Sequence, residues 1–283
     1  MSTDPFFCLE GTVKDFDSGQ LSDALETSGH LRNLVYRPRD FNIRNKRIEG
    51  ITFENVSFSK TDIVDITFRG CKFVRCLFIA TNFTDVDFHS CTFTKCNFFK
   101  ATFKGVYAKP EQFAGAVMED QYANIGVHLY QELRDNYIDE AQPEFMREAE
   151  YQFKRWSQKL LWSELVQKKS LPVRKVLQWF GLAVYRLFFG YGLRLRNLVG
   201  TTLLSVLVMT MLARTYASCM FVEDLPITWI RGFYFTVSTM ITLGAIGFTP
   251  KSDAGYIFLL LNAVIGVVLL SATLNAFSKR VSR

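Results

Sequence analysis

Histidine and proline are scarce in this chain of 283 residues, which has 3 His and 7 Pro. The histidines, His30, His89 and His128, lie far apart and do not have the spacing of metal ligands. The sequence also lacks a recognisable pair of nucleophile and base, and it lacks a glycine-rich phosphate loop. These absences argue against an enzyme and against a bound cofactor.

Acidic residues are the minority charge, with 27 Asp and Glu against 33 Lys and Arg and a net charge of +6. Residues 168–196 contain no acid, and their bases are Lys168, Lys169, Arg174, Lys175, Arg186, Arg194 and Arg196. A second basic cluster follows residue 277. A basic patch can bind nucleic acid, but both clusters flank apolar runs. We therefore expect that the protein binds no nucleic acid. We expect the basic clusters to contact membrane lipid, in particular the anionic lipid of the inner leaflet.

Two apolar runs, residues 198–217 and 254–277, are long enough to cross a hydrocarbon core of ~30 Å at ~1.5 Å per residue. The basic clusters predict that both chain ends are cytoplasmic and that the loop 219–253 lies outside. The sequence thus predicts a multi-pass protein of the cell membrane.

The segment between these runs, residues 229–250, is apolar and aromatic but interrupted by Thr, Ser and Gly. We expect a re-entrant segment, with a short helix from residue 225 to about 240 and an extended piece over 242–248. Non-helical backbone is tolerated at membrane depth only where protein buries it or where it lines a watery cavity. The segment therefore predicts a pore or a binding cavity.

Residues 234–244 read YFTVSTMITLG, with Thr249 and Pro250 beyond them. This stretch resembles the pore helix and filter of the two-transmembrane potassium-channel superfamily, which implies a homotetramer that passes monovalent cations such as K⁺ or Na⁺. Thr242 and Gly244 match the Thr and first Gly of a TVGYG-type strand. The resemblance places the selectivity filter at Thr242, Leu243, Gly244, Ala245, Ile246 and Gly247.

The filter departs from that pattern at its outer half, where the superfamily has Tyr, Gly and usually Asp. Ile246 resists the positive φ that is open to Gly. We therefore expect weak discrimination among monovalent cations.

In the second span, Gly266 is a possible bend, and Ser271, Asn275 and Ser278 form a polar stripe. This set is the candidate lining of the inner pore, and hydrogen bonding between helices is the alternative.

The N-terminal half has a period of five residues. Large apolar residues recur at Ile48, Phe53, Phe58, Ile63, Phe68, Phe73, Phe78, Phe83, Phe88, Phe93, Phe98 and Phe103. From Ile51 onward, the residue two positions before each of these large residues is small or β-branched. This pattern resembles the pentapeptide-repeat family over residues 48–105, which implies a right-handed quadrilateral β-helix of about three coils.

Cys71 and Cys91 are twenty residues apart, as are Cys76 and Cys96. A metal site and disulfides are possible uses of these cysteines, but the cysteines occupy the small inward position of the repeat, so we expect buried core thiols.

A second functional class for such repeats is the DNA-mimicking topoisomerase inhibitor, which works through acidic outer faces. Residues 41–105 have ten Lys and Arg against six Asp and Glu, which argues against that class.

The remaining segments complete a mixed fold. We predict an N-terminal cap over residues 1–40, a β-helix over 41–106, a helical linker over 107–170 and a pore domain over 197–283. Residues 171–196 are predicted to be an amphipathic helix in the membrane interface, and a third span is the alternative. The predicted function is a tetrameric cation channel with a cytoplasmic repeat domain. The alternative is a non-conducting, membrane-tethered scaffold.

Overall fold

A computed structural model describes residues 6–117, 120–167, 172–222, 228–242 and 249–281. The chain divides into two compact units, Met1–Trp179 and Phe180–Arg283. The first unit contains the repeats, and the second contains the two long apolar helices.

The N-terminal segment adds a strand, a helix and a second strand to the repeats. These are β1 (Lys14–Phe16), α1 (Ser18–Thr27) and β2 (His30–Tyr36). Helix α1 starts at a capping box in which Asp17 accepts from the backbone N–H of Gln20, and the Gln20 side chain accepts from the N–H of Asp17. Leu21 of α1 is fully buried in the same core as the repeats. The segment therefore covers apolar surface at the start of the repeat stack.

The repeats form short parallel strands that stack in steps of twenty residues. Phe53 pairs with Phe73 and Phe73 with Phe93, while on another side Ile63 pairs with Phe83 and Phe83 with Phe103. The strands are β3 (Arg47–Glu49), β4 (Thr52–Ser57), β5 (Asp62–Val64), β6 (Thr67–Arg69), β7 (Lys72–Val74), β8 (Asn82–Thr84), β9 (Asp87–His89), β10 (Thr92–Thr94) and β11 (Thr102–Lys104). In the described part of the chain they make parallel sheets in the orders β1-β2-β4-β7-β10, β11-β8-β5 and β3-β6-β9.

The large residues of the repeat form columns of stacked rings inside the sheets. The rings of Phe53 and Phe73 are 4.9 Å apart, those of Phe73 and Phe93 are 4.9 Å apart, and those of Phe93 and Phe113 are 4.6 Å apart. These distances match the strand spacing of about 4.8 Å. From Phe53 to Phe98 each of these phenylalanines is at most 2% exposed. The core is therefore one layer of rings, and neighbouring columns meet edge to face.

Every fifth residue also turns a corner. The backbone φ is positive at Gly50, Asn55, Lys60, Asp65, Gly70, Arg75, Ala80, Asp85, Ser90, Lys95, Lys100 and Gly105. A β-branched residue resists this conformation, and this series contains none. The absence of Val, Ile and Thr at these positions is a sequence signal for the corners that our pattern analysis missed.

The four repeat cysteines are buried free thiols. The Sγ atoms of Cys71 and Cys76 donate to the carbonyl oxygens of Ile48 and Phe53 at 3.4 and 3.3 Å. Thr81 makes the same contact with the carbonyl of Phe58. Burial raises the pKa of the Cys76 thiol, which keeps it protonated. The cysteines thus occupy the small inward position as core residues.

Two helices follow the repeats, α2 (Ala123–Asp139) and α3 (Pro143–Gln167). Asn136 of α2 accepts from the backbone N–H of Val106 at 2.9 Å and donates to the Val106 carbonyl at 2.8 Å. The Tyr137 hydroxyl donates to the Ala108 carbonyl at 2.6 Å. Helix α2 thereby satisfies backbone groups at the end of the repeat stack. An apolar stripe of α3 packs against this core, and its residues are Phe145, Ala149, Phe153, Trp156 and Leu160.

The second unit contains most of α4 (Val173–Phe189), followed by α5 (Leu195–Met220), α6 (Trp229–Thr242) and α7 (Asp253–Val281). Within the described ranges, α5 and α7 are the two helices that are long and apolar enough to cross a membrane. Helix α4 has 17 residues. Helix α6 has 14 residues, so at 1.5 Å per residue it is about 21 Å long and too short to span a membrane.

Candidate functional site

Helix α6 packs against both long helices of the second unit. Its Phe235 is fully buried, with its ring centroid 5.3 Å from that of Phe221 and 6.4 Å from that of Phe258. Met209 and Ala213 of α5 belong to the same apolar cluster. This small core holds the short helix between two long ones.

Backbone hydrogen bonds tie the C-terminal end of α5 to the N-terminal end of α7. Phe221 and Pro250 form an antiparallel bridge. The N–H of Val222 donates to the Thr249 carbonyl at 2.9 Å, and that of Lys251 donates to the Met220 carbonyl at 2.9 Å. These contacts close the segment that carries α6, so both ends of this segment are anchored.

The predicted filter begins where α6 ends. Thr242 is the last residue of α6, although the sequence placed it in an extended piece after a helix ending near residue 240. Helix α6 covers Trp229–Thr242, so it ends about two residues later in the chain than predicted. The other predicted filter residues, Leu243, Gly244, Ala245, Ile246 and Gly247, lie outside the described residues.

The four residues predicted to line the inner pore lie on two different faces of α7. Gly266 is buried, and a Cβ atom added to it would lie 2.2 Å from the carbonyl oxygen of Met240 in α6. Ser271, Asn275 and Ser278 are exposed. Ser271 and Asn275 line a groove of about 310 Å³ together with Tyr185 and Phe189. Helix α7 is continuous through Gly266. The glycine therefore permits close packing of two helices.

Arg214 lies near the C-terminal end of α5. The acids nearest to it along the chain, Glu223 and Asp224, lie outside the described residues. The guanidinium carbon of Arg214 is 4.5 Å from the centre of the Trp229 ring. This cation–π contact joins α5 to the first residue of α6.

A tight elbow joins α4 to α5. Gly190, Tyr191 and Gly192 all have positive φ, and Tyr191 is fully buried. Asn197 of α5 donates to the Leu187 carbonyl at 3.3 Å, and Thr201 donates to the Phe188 carbonyl at 2.6 Å. These side chains satisfy carbonyls that the end of α4 leaves without a partner in the helix. Sequence analysis missed the elbow because its partners come from a different helix.

Comparison with known families identifies both parts of the chain. Residues 43–116 match the family described as pentapeptide repeat region, and residues 198–283 match the family described as ion channel. The chain joins a pentapeptide repeat region to an ion-channel domain. The fusion predicted from the sequence is thereby confirmed. The ion-channel match begins in α5 and covers α6 and α7, so the short helix between two apolar helices belongs to a membrane-embedded ion-channel domain.

No curated protein and no solved structure gives a significant match to the chain. The two family matches and the contacts above are therefore the basis for assigning a function. A membrane protein with an ion-channel domain is the assignment that both support.

Proposed function

We propose that the protein is a homotetrameric cation channel of the cell membrane with cytoplasmic termini. The observation that carries this proposal is the short helix α6, which is anchored between two apolar helices and ends at Thr242, where the TLGAIG segment begins. The carbonyl end of a helix carries a partial negative charge of about half an electron, which favours a cation. The proposed role of residues 242–247 is to line the ion path with backbone oxygens. The proposed activity is transport rather than catalysis.

The tetramer is proposed because one filter strand cannot surround an ion. Several large apolar residues of this domain are exposed in a single chain: Ile230 is 81% exposed, Ile241 is 71% exposed and Leu203 is 66% exposed. Such surface requires lipid or a neighbouring subunit. We expect native mass spectrometry of the detergent-solubilised protein to give a mass of four chains. A monomer or dimer as the only species would contradict the channel proposal.

The proposed inner pore lining is Ser271, Asn275 and Ser278, which lie on the exposed side of α7. Gly266 is not part of the proposed lining, because the backbone of α6 occupies the space that a side chain at this position would need. In a tetramer with α7 nearest the axis, Ser278 would contact hydrated ions directly, and Ser271 and Asn275 would reach them from the groove that they line with Tyr185 and Phe189.

The proposed form of the repeat region is a right-handed quadrilateral β-helix in the cytoplasm. Support comes from the twenty-residue step between paired strands and from a corner at every fifth residue. For α4 we propose an interfacial position, since a helix of 17 residues is about 25 Å long and carries Arg174, Lys175 and Arg186. These bases would contact anionic headgroups of the inner leaflet.

We expect a weakly selective channel. In asymmetric K⁺, Na⁺ and Cl⁻ solutions, reversal potentials should show cation preference with similar permeabilities for K⁺ and Na⁺. Ala245 lacks the ring that braces a TVGYG-type filter, and Ile246 resists the backbone conformation open to Gly. Ala245→Tyr, Ile246→Gly and Gly247→Asp together should raise the preference for K⁺ over Na⁺.

Two results would oppose this account of the filter: a wild-type channel that strongly prefers K⁺, or one that prefers Cl⁻. A tetramer in liposomes that passes no ion would instead favour the alternative, a membrane-tethered scaffold. Empty liposomes and liposomes containing the triple variant are the matched controls for the flux assay.

A further inference from the structure

A buried asparagine links the second spanning helix to the short helix of the pore. Asn262 of α7 is fully buried, and its Nδ2 donates to the Thr236 carbonyl at 3.1 Å and to the Thr239 hydroxyl. That hydroxyl donates in turn to the Phe235 carbonyl at 2.9 Å. One side-chain amide therefore holds the C-terminal half of α6.

This polar cluster lies in an apolar setting. Asn262 is the tenth residue of α7, so it is about 14 Å from the outer end of a helix that crosses a core of about 30 Å. Within the described part of the chain, Asn262 Oδ1 and Thr236 Oγ1 are buried without a hydrogen-bond partner. A leucine has the same branching and the same number of side-chain heavy atoms, and it would leave no unpaired Oδ1. Simple packing therefore does not explain an asparagine at this position.

The position of the link does suggest a reason for it. Thr239 is three residues before Thr242, so Asn262 holds the turn of α6 from which the proposed filter starts. Gly266, one turn along α7, allows the Met240 backbone to lie against the same helix. A hydrogen bond is directional, so it determines the rotation of α6 about its axis and its shift along that axis. An apolar contact allows α6 to slide and turn.

We propose that Asn262 is a positioning residue that holds the last turn of α6 in the arrangement in which the filter conducts. Groups that act on a ligand or an ion need supporting residues that hold their geometry within fractions of an ångström. The inference rests on the proposed channel function, since it assigns a role to Asn262 within that pore.

The test uses the full chain in planar bilayers. We expect Asn262→Leu to lower the open probability about fivefold, the size of effect that one hydrogen bond between membrane helices produces. Native mass spectrometry should still give the intact tetramer, because leucine leaves no unpaired Oδ1. Thr239→Val should also lower the open probability, but by less, because it removes the bond from Asn262 to Thr239 and leaves the bond from Asn262 to the Thr236 carbonyl. The double variant should open no less than Asn262→Leu, because Asn262→Leu already removes the bond that Thr239 accepts.

Thr273→Val is the matched control, because the Thr273 hydroxyl donates to the Leu269 carbonyl of its own helix. It should open like the wild type. If Asn262→Leu does not assemble, the comparison of Thr239→Val with Thr239→Ser, which keeps the hydroxyl, decides the matter. A conducting wild type with unchanged opening in Asn262→Leu and Thr239→Val would overturn this inference alone. A wild type that does not conduct would overturn the channel function and this inference with it.

Discussion

Phe78→Ala should lower the free energy of unfolding of the repeat region by about 3–5 kcal/mol. Phe78 is 1% exposed, and its ring lies 4.9 Å from that of Phe98 and 5.6 Å from that of Phe73. Because the core is a single layer of rings, no second layer of side chains can move in to fill the cavity. Hydrogen exchange of the strand amides in the full-length protein measures this loss, with the fastest gain in exchange expected in β7 and β10.

Val64→Ala is the matched control, since Val64 is 49% exposed on an outward position of β5. A change at such a site should stay within about 0.5 kcal/mol. Equal protection of the strand amides in the Phe78→Ala and Val64→Ala proteins would mean that the ring column does not carry the stability of the repeats.

Gly266→Val should abolish the proposed tetramer and the proposed ion flux. A Cβ at this position lies 2.2 Å from the Met240 carbonyl oxygen and 2.7 Å from the Met240 carbonyl carbon, so the backbone of α6 must move away from α7. Ordinary overpacking costs about 1–3 kcal/mol, and a clash with backbone costs more because no flexible side chain can give way. The same displacement would pull Thr239 away from Asn262. Native mass spectrometry and liposome flux measure the two losses.

Gly200→Val in α5 separates this clash from the general effect of a β-branched residue in a spanning helix. An added Cβ at Gly200 has no atom within 4 Å. The Gly200→Val protein should assemble and conduct. Assembly and wild-type flux in the Gly266→Val protein would show that α6 and α7 do not need the close approach seen here.

The inward positions of the repeat region could be predicted from the sequence, whereas its corners were missed. Its period of five repeats the same inward positions in every turn, so neighbouring turns stack alike and local composition determines the core. The order of helices in the second unit was also predictable, because two runs of apolar residues around a shorter polar-interrupted segment are distinctive. The family matches to a pentapeptide repeat region and an ion channel confirm these two parts.

Single residues in the pore region were less predictable. Gly266 was interpreted as a bend or pore lining from its place in α7, but its neighbour is Met240, which is twenty-six residues earlier in the chain. Asn262 gave no signal at all, since one polar residue in an apolar run has no periodicity to measure. The contact of Arg214 with the Trp229 ring also gave no signal in the sequence, because the two residues lie on different helices.

The sequence by itself determined which segments form stacked strands and which helices can cross a membrane, and it predicts where a filter resembling that of potassium channels begins. These properties follow from residue type and spacing along the chain, and hydrophobic burial acts on them locally. Only the tertiary structure decided that Gly266 is a contact point between helices, that Asn262 holds α6, and that Asn197 and Thr201 cap α4. Each of these roles depends on the backbone or side chain that a different helix brings within a few ångströms. The spacing of residues within one segment does not show which other helix will lie against it.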